Sequence, residues 1–162
     1  MGEKGSGAHP IMFRGANQLT IDAKGRMVMP TRYRDRLQET CAGKLVVTVD
    51  KQQFLLIYPL PDWEEIERKI MRLPSTNPEI RLLQQVMVGQ ATDLELDGHG
   101  RLLLPPNLRE FAKLTRDAVL VGQGVRFELW DEARWNALTE AWVASGQKPA
   151  TEVPDELKTL SF

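Results

Sequence analysis

Two short segments of the chain contain the same charged residues at the same spacing. Both read D-x-x-G-R-x-x-x-P-x-x-x-R, and the second begins 75 residues after the first. Aspartate in such a turn accepts hydrogen bonds from nearby backbone N–H groups, and arginine offers a planar fork of donors that suits carboxylates, phosphates and base edges. The fixed positions are Asp22, Gly25, Arg26, Pro30 and Arg34 in the first copy, and Asp97, Gly100, Arg101, Pro105 and Arg109 in the second.

The duplication limits the kinds of function that the chain can have. Chance rarely matches five fixed positions, and the residues between Arg and Pro are apolar in both copies, Met27-Val28-Met29 and Leu102-Leu103-Leu104. We interpret the two segments as copies of one unit, so the functional site is expected to come in pairs.

The chain offers few groups for catalysis or metal binding. Cys41 is its single cysteine and His99 its single histidine after residue 11, so they supply no nucleophile–base pair and no metal-ligand cluster. Asp22 and Asp97 would form a carboxylate pair if they met across a pseudo-two-fold axis, but both are predicted to lie in exposed turns, where a raised pKa is not expected. We therefore expect no enzyme, no metal, no cofactor and no small-molecule substrate.

Each copy predicts the same series of secondary-structure elements. The D-x-x-G-R turn is expected to close a hairpin between two paired strands, with glycine supplying a positive φ. Pro30 and Pro105 then stop the strand and suit the first turn of a helix. Each copy thus reads strand, turn, strand, short helix, two strands and a longer amphipathic helix.

The longer helices have apolar faces that need a partner. Trp63, Ile66 and Ile70 share one helical face, and Trp135, Leu138 and Trp142 repeat the spacing, which is typical of core or of a subunit interface. Asp62 is predicted to cap the first of these helices, which should end near Leu73, and a further helix should run from Asn77-Pro78 to Gly89.

We expect two small halves that share strands, because each half alone has too little strand to bury its own sheet. Single-cysteine usage permits a cytoplasmic location, and no apolar run approaches the roughly 20 residues of a membrane span. The predicted boundaries are an expression tag at 1–11, the first repeat with its long helix at 12–74, a connecting helix at 75–91, the second repeat with its long helix at 92–144 and a flexible C-terminal tail at 145–162.

Charge is distributed unevenly between the two copies. Residues 12–36 have a net charge of +4, residues 94–116 have +1, and acidic residues collect near the C-terminus. A basic pole of this kind suits a polyanionic partner, and the first motif copy is the basic one.

These residues resemble the MraZ proteins of bacteria. The resemblance covers nearly all of 12–162 and is based on both D-x-x-G-R copies, the opening Met12-Phe13-Arg14-Gly15, the run Tyr58-Pro59-Leu60-Pro61 before Trp63, and Phe127-Glu128-Leu129-Trp130. It implies an α+β fold in which two pseudo-repeated AbrB-like swapped-hairpin units form one small interlocked β-barrel with peripheral helices.

The resemblance also implies a function. MraZ proteins assemble into rings and regulate transcription of the division and cell-wall gene cluster by binding repeated promoter elements in double-stranded DNA. The first D-x-x-G-R loop is the DNA-contacting element, which here comprises Asp22, Lys24 and Arg26. Gly98-His99 replaces Ala23-Lys24 in the second loop, so equal contact by that loop is not implied. A cytoplasmic, nucleoid-associated homo-oligomer with no membrane partner is expected.

The chemistry of the candidate side chains also suits contact with DNA. An exposed turn can enter the major groove, where Arg26 would bridge guanine O6 and N7, while Lys24, Arg14 and Arg32 would meet phosphates. Arg101 is expected either to contact DNA, to pair with Asp97 or to contact another subunit.

Several residues also have purely structural readings. For Asp22 and Asp97 we favour turn capping, and Arg26 is expected to pair with Asp22 as well as to contact DNA. For Arg34 and Arg109 we favour packing or salt bridges. The main alternative function is a protein-interaction or assembly module whose basic loops dock an acidic protein.

Overall fold

The computed structural model describes residues 12–146 and 154–160. The predicted expression tag at 1–11 lies outside the described residues, as do 147–153 and 161–162 of the predicted tail.

Both copies contain the predicted series of elements. The first copy comprises β1 (Phe13–Thr20), β2 (Arg26–Val28), α1 (Thr31–Cys41), β3 (Lys44–Asp50), β4 (Phe54–Pro59) and α2 (Leu60–Arg72). The second comprises β5 (Thr92–Glu95), β6 (Arg101–Leu103), α4 (Pro106–Phe111), β7 (Asp117–Gly124), β8 (Arg126–Asp131) and α5 (Glu132–Ser145). Between them lies α3 (Pro78–Leu83), which continues as a π-helical segment (Gln84–Val88).

The first strand of each copy pairs with the third strand of the other copy. β1 runs antiparallel to β7, and β5 runs antiparallel to β3. Completed by β4 and β8, the six-stranded sheet has the order β1-β7-β8-β4-β3-β5. The predicted sharing of strands between the halves is therefore present in the structure.

The second strands of the two copies pair only with each other. β2 and β6 form a two-stranded antiparallel ribbon, with Met27 opposite Leu102. The prediction that the first two strands of each copy pair as a hairpin ladder is therefore wrong. In the first copy the Asp22 N–H donates a hydrogen bond to the Arg26 carbonyl, and β2 then pairs with β6 instead of β1. The described strands form this ribbon and an open six-stranded sheet, so the predicted closed barrel is not confirmed.

One hydrophobic core joins the sheet and the ribbon. Met27, Met29, Leu102 and Leu104 are fully buried beneath the ribbon. Residues from the facing strands and from α1 and α4 complete the core, among them Phe13, Tyr33, Leu37, Leu108 and Phe127. Because both copies contribute to this core, the position of each motif turn depends on residues of both copies.

Most of the predicted starts and ends of α2 and α3 agree with the structure. The side chain of Asn77 caps α3 by accepting hydrogen bonds from the N–H groups of Glu79 and Ile80, and Gly89 follows the π segment. α2 begins at Leu60, so the prediction that Asp62 caps this helix is wrong. Pro61 suits the first turn, and the helix therefore starts before the aspartate.

The chain divides into two compact units, with the second beginning at Ala133. Within α5, every residue of which is described, none is buried, so of the two roles predicted for its apolar face, core or subunit interface, the core role is wrong. Leu138 and Trp142 are exposed. A single helical turn, α6 (Asp155–Lys158), lies in the described part of the predicted tail.

Candidate nucleic-acid interface

The carboxylate of Asp22 organises the first D-x-x-G-R turn. Its Oδ1 accepts hydrogen bonds from the backbone N–H groups of Lys24 and Arg26, each at 2.9 Å. Its Oδ2 accepts a third from Arg26 Nε at 2.7 Å. The Arg26 side chain remains 31% exposed. One edge of the guanidinium is thus fixed by the protein while the group stays accessible to solvent.

The second turn repeats this arrangement. Asp97 Oδ1 accepts from the backbone N–H groups of His99 at 2.8 Å and Arg101 at 2.9 Å, and Oδ2 accepts from Arg101 Nε at 2.8 Å. The Arg101 side chain is 35% exposed. Turn capping and the ion pair predicted for Arg101 are both present, and Arg26 has an equivalent ion pair. We call the Asp22–Arg26 and Asp97–Arg101 turns the two tips. They differ mainly in the cation Lys24, which His99 replaces in the second tip.

Hydrogen bonding keeps both tip carboxylates ionised. The backbone N–H of Arg26 is the main cause that lowers the pKa of Asp22 below its ordinary value. The backbone N–H of Arg101 does the same for Asp97, whose pKa falls to about 2. A carboxylate pair used for acid catalysis needs one raised pKa, and these two shifts run in the opposite direction. The tips are suited to holding arginines rather than to moving protons.

The last arginine of each motif packs against the turn of the other copy. Arg109 lies against Gly25, where a Cβ atom would come within 2.7 Å of its Cζ and Nε atoms. Arg34 lies against Gly100 in the same manner and donates from Nε to the Met29 carbonyl at 2.7 Å. Both glycines have positive φ, 88° and 73°. The packing roles expected for Arg34 and Arg109 thus extend across the pseudo-repeat, a contact between copies that was not predicted from the sequence.

The outer face of the β2–β6 ribbon exposes two apolar side chains beside the two tip arginines. Arg26 stands opposite Leu103, and Val28 stands opposite Arg101. Val28 is 47% exposed and Leu103 56%, whereas Met27 and Leu102 on the inner face have no exposure. Val28 and Leu103 were predicted only to be apolar residues between Arg and Pro; the strand period of two, which places alternate side chains on opposite faces, was the signal for this outer face.

Lys24 and His99 are exposed on their tips. The two arginines predicted to contact phosphates lie away from the tips. Arg14 is near the start of β1, and the strand places it roughly 25 Å from the tip that follows the strand. Arg32 donates from Nη2 to Asn17 Oδ1 at 2.9 Å and lies against Gly15. Arg14 and Arg32 therefore belong to a separate basic region along β1.

Comparison with known proteins accounts for this duplicated geometry. The family model of the MraZ protein matches residues 12–86 and again residues 87–154. The chain belongs to the MraZ family. Proteins named "Transcriptional regulator MraZ" are similar to it over 150 residues, which make up 92% of this chain and 99% of each relative. They come from Pseudomonas aeruginosa strain LESB58 (55% identical), Pseudomonas putida strain GB-1 (54%) and Pseudomonas entomophila strain L48 (53%).

Membership of the MraZ family bears on the class of the protein. The family is one of transcriptional regulators and not of enzymes, which confirms the prediction of a non-enzymatic protein. Among the residues that the structure describes, no group of three or more His, Cys, Asp or Glu side chains is placed to hold a metal ion. No helix in the same residues is long and apolar enough to cross a membrane.

Proposed function

We propose that the chain is a sequence-specific DNA-binding transcriptional regulator that places the β2–β6 ribbon and its tips in the major groove. The observation that carries this proposal is the pair of partly exposed arginines, each held along one edge by an aspartate. The major groove admits a two-stranded ribbon, and its base edges offer acceptors to arginine. The names of the MraZ relatives support a role in transcription.

The tip geometry suits base recognition because Asp22 engages only the Nε edge of Arg26. Among the described residues, the structure gives the terminal nitrogens of Arg26 no hydrogen bond, so both are available to guanine O6 and N7. A good bidentate pair of this kind contributes about 1–3 kcal/mol of discrimination against a wrong base. An arginine that is already oriented also loses less side-chain entropy on binding. Arg26 is therefore the proposed principal reader of bases.

The other candidate cations have supporting roles in this proposal. Lys24 stands exposed beside the reader and is placed to meet phosphates, which would fix the position of the tip without reading sequence. Arg101 has the geometry of Arg26 without the neighbouring lysine, so we propose a weaker contact for it. Arg14 and Arg32 would contact the DNA backbone beyond the groove that holds the ribbon.

We propose further that the protein acts as a ring-shaped homo-oligomer. One tip offers too few contacts for tight binding, and several tips on repeated sites would multiply weak contacts. Exposed apolar side chains on and after α2 and along α3 and its π segment support self-association, namely Met71, Leu73, Leu82, Leu83 and Val86. By its family resemblance, the proposed target is the repeated promoter DNA of the division and cell-wall gene cluster, bound by a cytoplasmic, nucleoid-associated protein.

Gel-shift titrations with promoter DNA that contains short repeats test this proposal. We expect wild-type affinity to fall steeply with salt and the Arg26→Ala variant to lose about fivefold or more, since one bidentate contact disappears. Arg26→Lys retains the charge but not the fork, so it should lose sequence preference more than affinity.

Arg68→Ala is the matched control, because it removes the same charge from an exposed position on α2. Binding by Arg26→Ala that equals wild type would show that the reader is wrongly assigned. Salt-sensitive binding to an acidic protein, without any preference among DNA sequences, would favour the interaction module instead.

A further inference from the structure

The ribbon face, defined by Arg26, Val28, Arg101 and Leu103, combines charge with exposed hydrocarbon. The side chains at these positions point away from the core because their strand neighbours Met27 and Leu102 are fully buried. Val28 and Leu103 therefore offer exposed apolar contacts directly beside two guanidinium groups, whose charges are paired with Asp22 and Asp97.

The four side chains lie at the corners of a compact four-sided patch. In an antiparallel pair, residues directly opposite lie about 4.5–5.5 Å apart and diagonal neighbours about 7–8 Å apart. Arg26 and Arg101 occupy one diagonal, while Val28 and Leu103 occupy the other. Each arginine is therefore directly opposite one apolar side chain.

From this placement we infer that Val28 and Leu103 contact the 5-methyl groups of thymines, so that the ribbon face reads thymine as well as guanine. The inference depends on the proposed function and deepens it. The thymine methyl is the apolar group that the base edges present in the major groove, and apolar side chains recognise it by contact. The partner is double-stranded DNA because the arginines on the same face are held only through Nε, and their terminal N–H groups suit the acceptors of base edges.

The spacing of this patch restricts where these thymines lie. Base pairs rise about 3.4 Å along one strand, so a separation of about 5 Å spans one to two base pairs. A thymine read by Leu103 should therefore lie within one or two base pairs of a guanine read by Arg26. The pseudo-symmetry of the ribbon predicts the same relation for Val28 and Arg101.

Replacing thymine by deoxyuridine tests the inference, because it removes the methyl group and keeps the base pair. The probe is the highest-affinity duplex selected from random DNA, compared with versions in which deoxyuridine replaces individual thymines. We expect wild-type protein to bind about fourfold more weakly for each contacted methyl, the factor expected for burying one such group.

The double variant Val28→Ala, Leu103→Ala provides the matched measurement. Both side chains are largely exposed, so the fold should persist, as circular dichroism would show. This variant should bind the thymine and deoxyuridine duplexes equally. Val143→Ala, a truncation at an exposed position of α5, should keep the wild-type preference for thymine.

The outcomes separate the two proposals. Wild-type protein that binds no selected duplex would overturn the proposed function. Wild-type protein that binds tightly but does not distinguish thymine from deoxyuridine would overturn the methyl contact alone. A double variant that stays as sensitive to deoxyuridine as wild type would also overturn it, because the sensitivity would then come from DNA shape.

Discussion

Asp97 holds Arg101 in place only while its carboxylate is ionised. Its pKa lies near 2 in the folded protein against an ordinary value of 3.8, so the hydrogen bonds should be complete at neutral pH and lost as the pH falls through about 2. An NMR titration of the Asp97 carboxyl should show this midpoint.

Arg101→Ala is the informative comparison, since it removes the cation and keeps the backbone N–H that is the main cause of the shift. The midpoint should then rise without reaching 3.8. A wild-type midpoint at or above 3.8 would contradict the tip geometry.

Gly25 and Gly100, each packed by an arginine of the other copy, should tolerate no side chain. Gly100→Ala would place a methyl group against Arg34 at a positive φ, and we expect a loss of about 1–3 kcal/mol in the free energy of unfolding. Gly98 in the same turn has open space around it, so Gly98→Ala should be neutral or slightly stabilising. Denaturant unfolding of both variants measures the difference, and equal stabilities would contradict the Arg34 contact.

At the tips, roles that depend on local hydrogen bonds could be predicted from the sequence, and contacts between the two copies could not. Asp22 and Asp97 could be assigned to turn capping because their hydrogen bonds are local and follow from the D-x-x-G spacing. The contact of Arg34 with Gly100 could not be predicted, because it joins residues of different copies. No periodicity within one copy reports a contact of that kind.

At the scale of the elements, the order of strands and helices is determined by local sequence, whereas the pairing of strands between the two copies is determined by the whole fold. The order of strands and helices followed from periodicity and proline positions, and the structure confirms it. The predicted hairpin ladder was wrong, because β2 pairs with β6 of the other copy. This pairing places Met27 and Leu102 over the core that both copies build, and no pattern within one copy reports such a partner.

Truncations on the two faces of the ribbon should have very different effects on stability. Leu102→Ala opens a cavity in the core and should lower the free energy of unfolding by about 2–5 kcal/mol. Leu103→Ala removes an exposed side chain next to it and should change stability by no more than about 0.5 kcal/mol. Thermal and denaturant unfolding would measure both changes. Similar losses for the two variants would mean that the ribbon does not have one inner and one outer face.

For the whole molecule, the two tips arise from one shared core. β2 and β6 pair with each other, and each tip glycine is packed by an arginine of the other copy. The tips therefore cannot fold independently, and a change in one copy should alter the geometry of the other. This mutual dependence gives a physical reason for one chain to contain both copies even though only the first has the basic Lys24.

The proposed ring makes affinity depend on how many DNA repeats are bound at once. Wild-type protein should bind DNA with two repeats at least about a hundredfold more tightly than DNA with one, because the second contact becomes intramolecular. The double variant Leu82→Glu, Leu83→Glu adds charge to exposed apolar positions of α3, so it should dissociate the oligomer and lose this advantage while still binding a single repeat. Light scattering and gel shifts on the two DNAs measure assembly and affinity separately.

Leu157→Glu, at an exposed apolar position of α6, is the control that should preserve both properties. Shifting the repeats by about half a helical turn should abolish the advantage in wild-type protein, because tips on a fixed ring then face the wrong side of the duplex. An advantage that persists in the Leu82→Glu, Leu83→Glu variant, or that does not depend on repeat spacing, would contradict a ring whose tips bind adjacent repeats together.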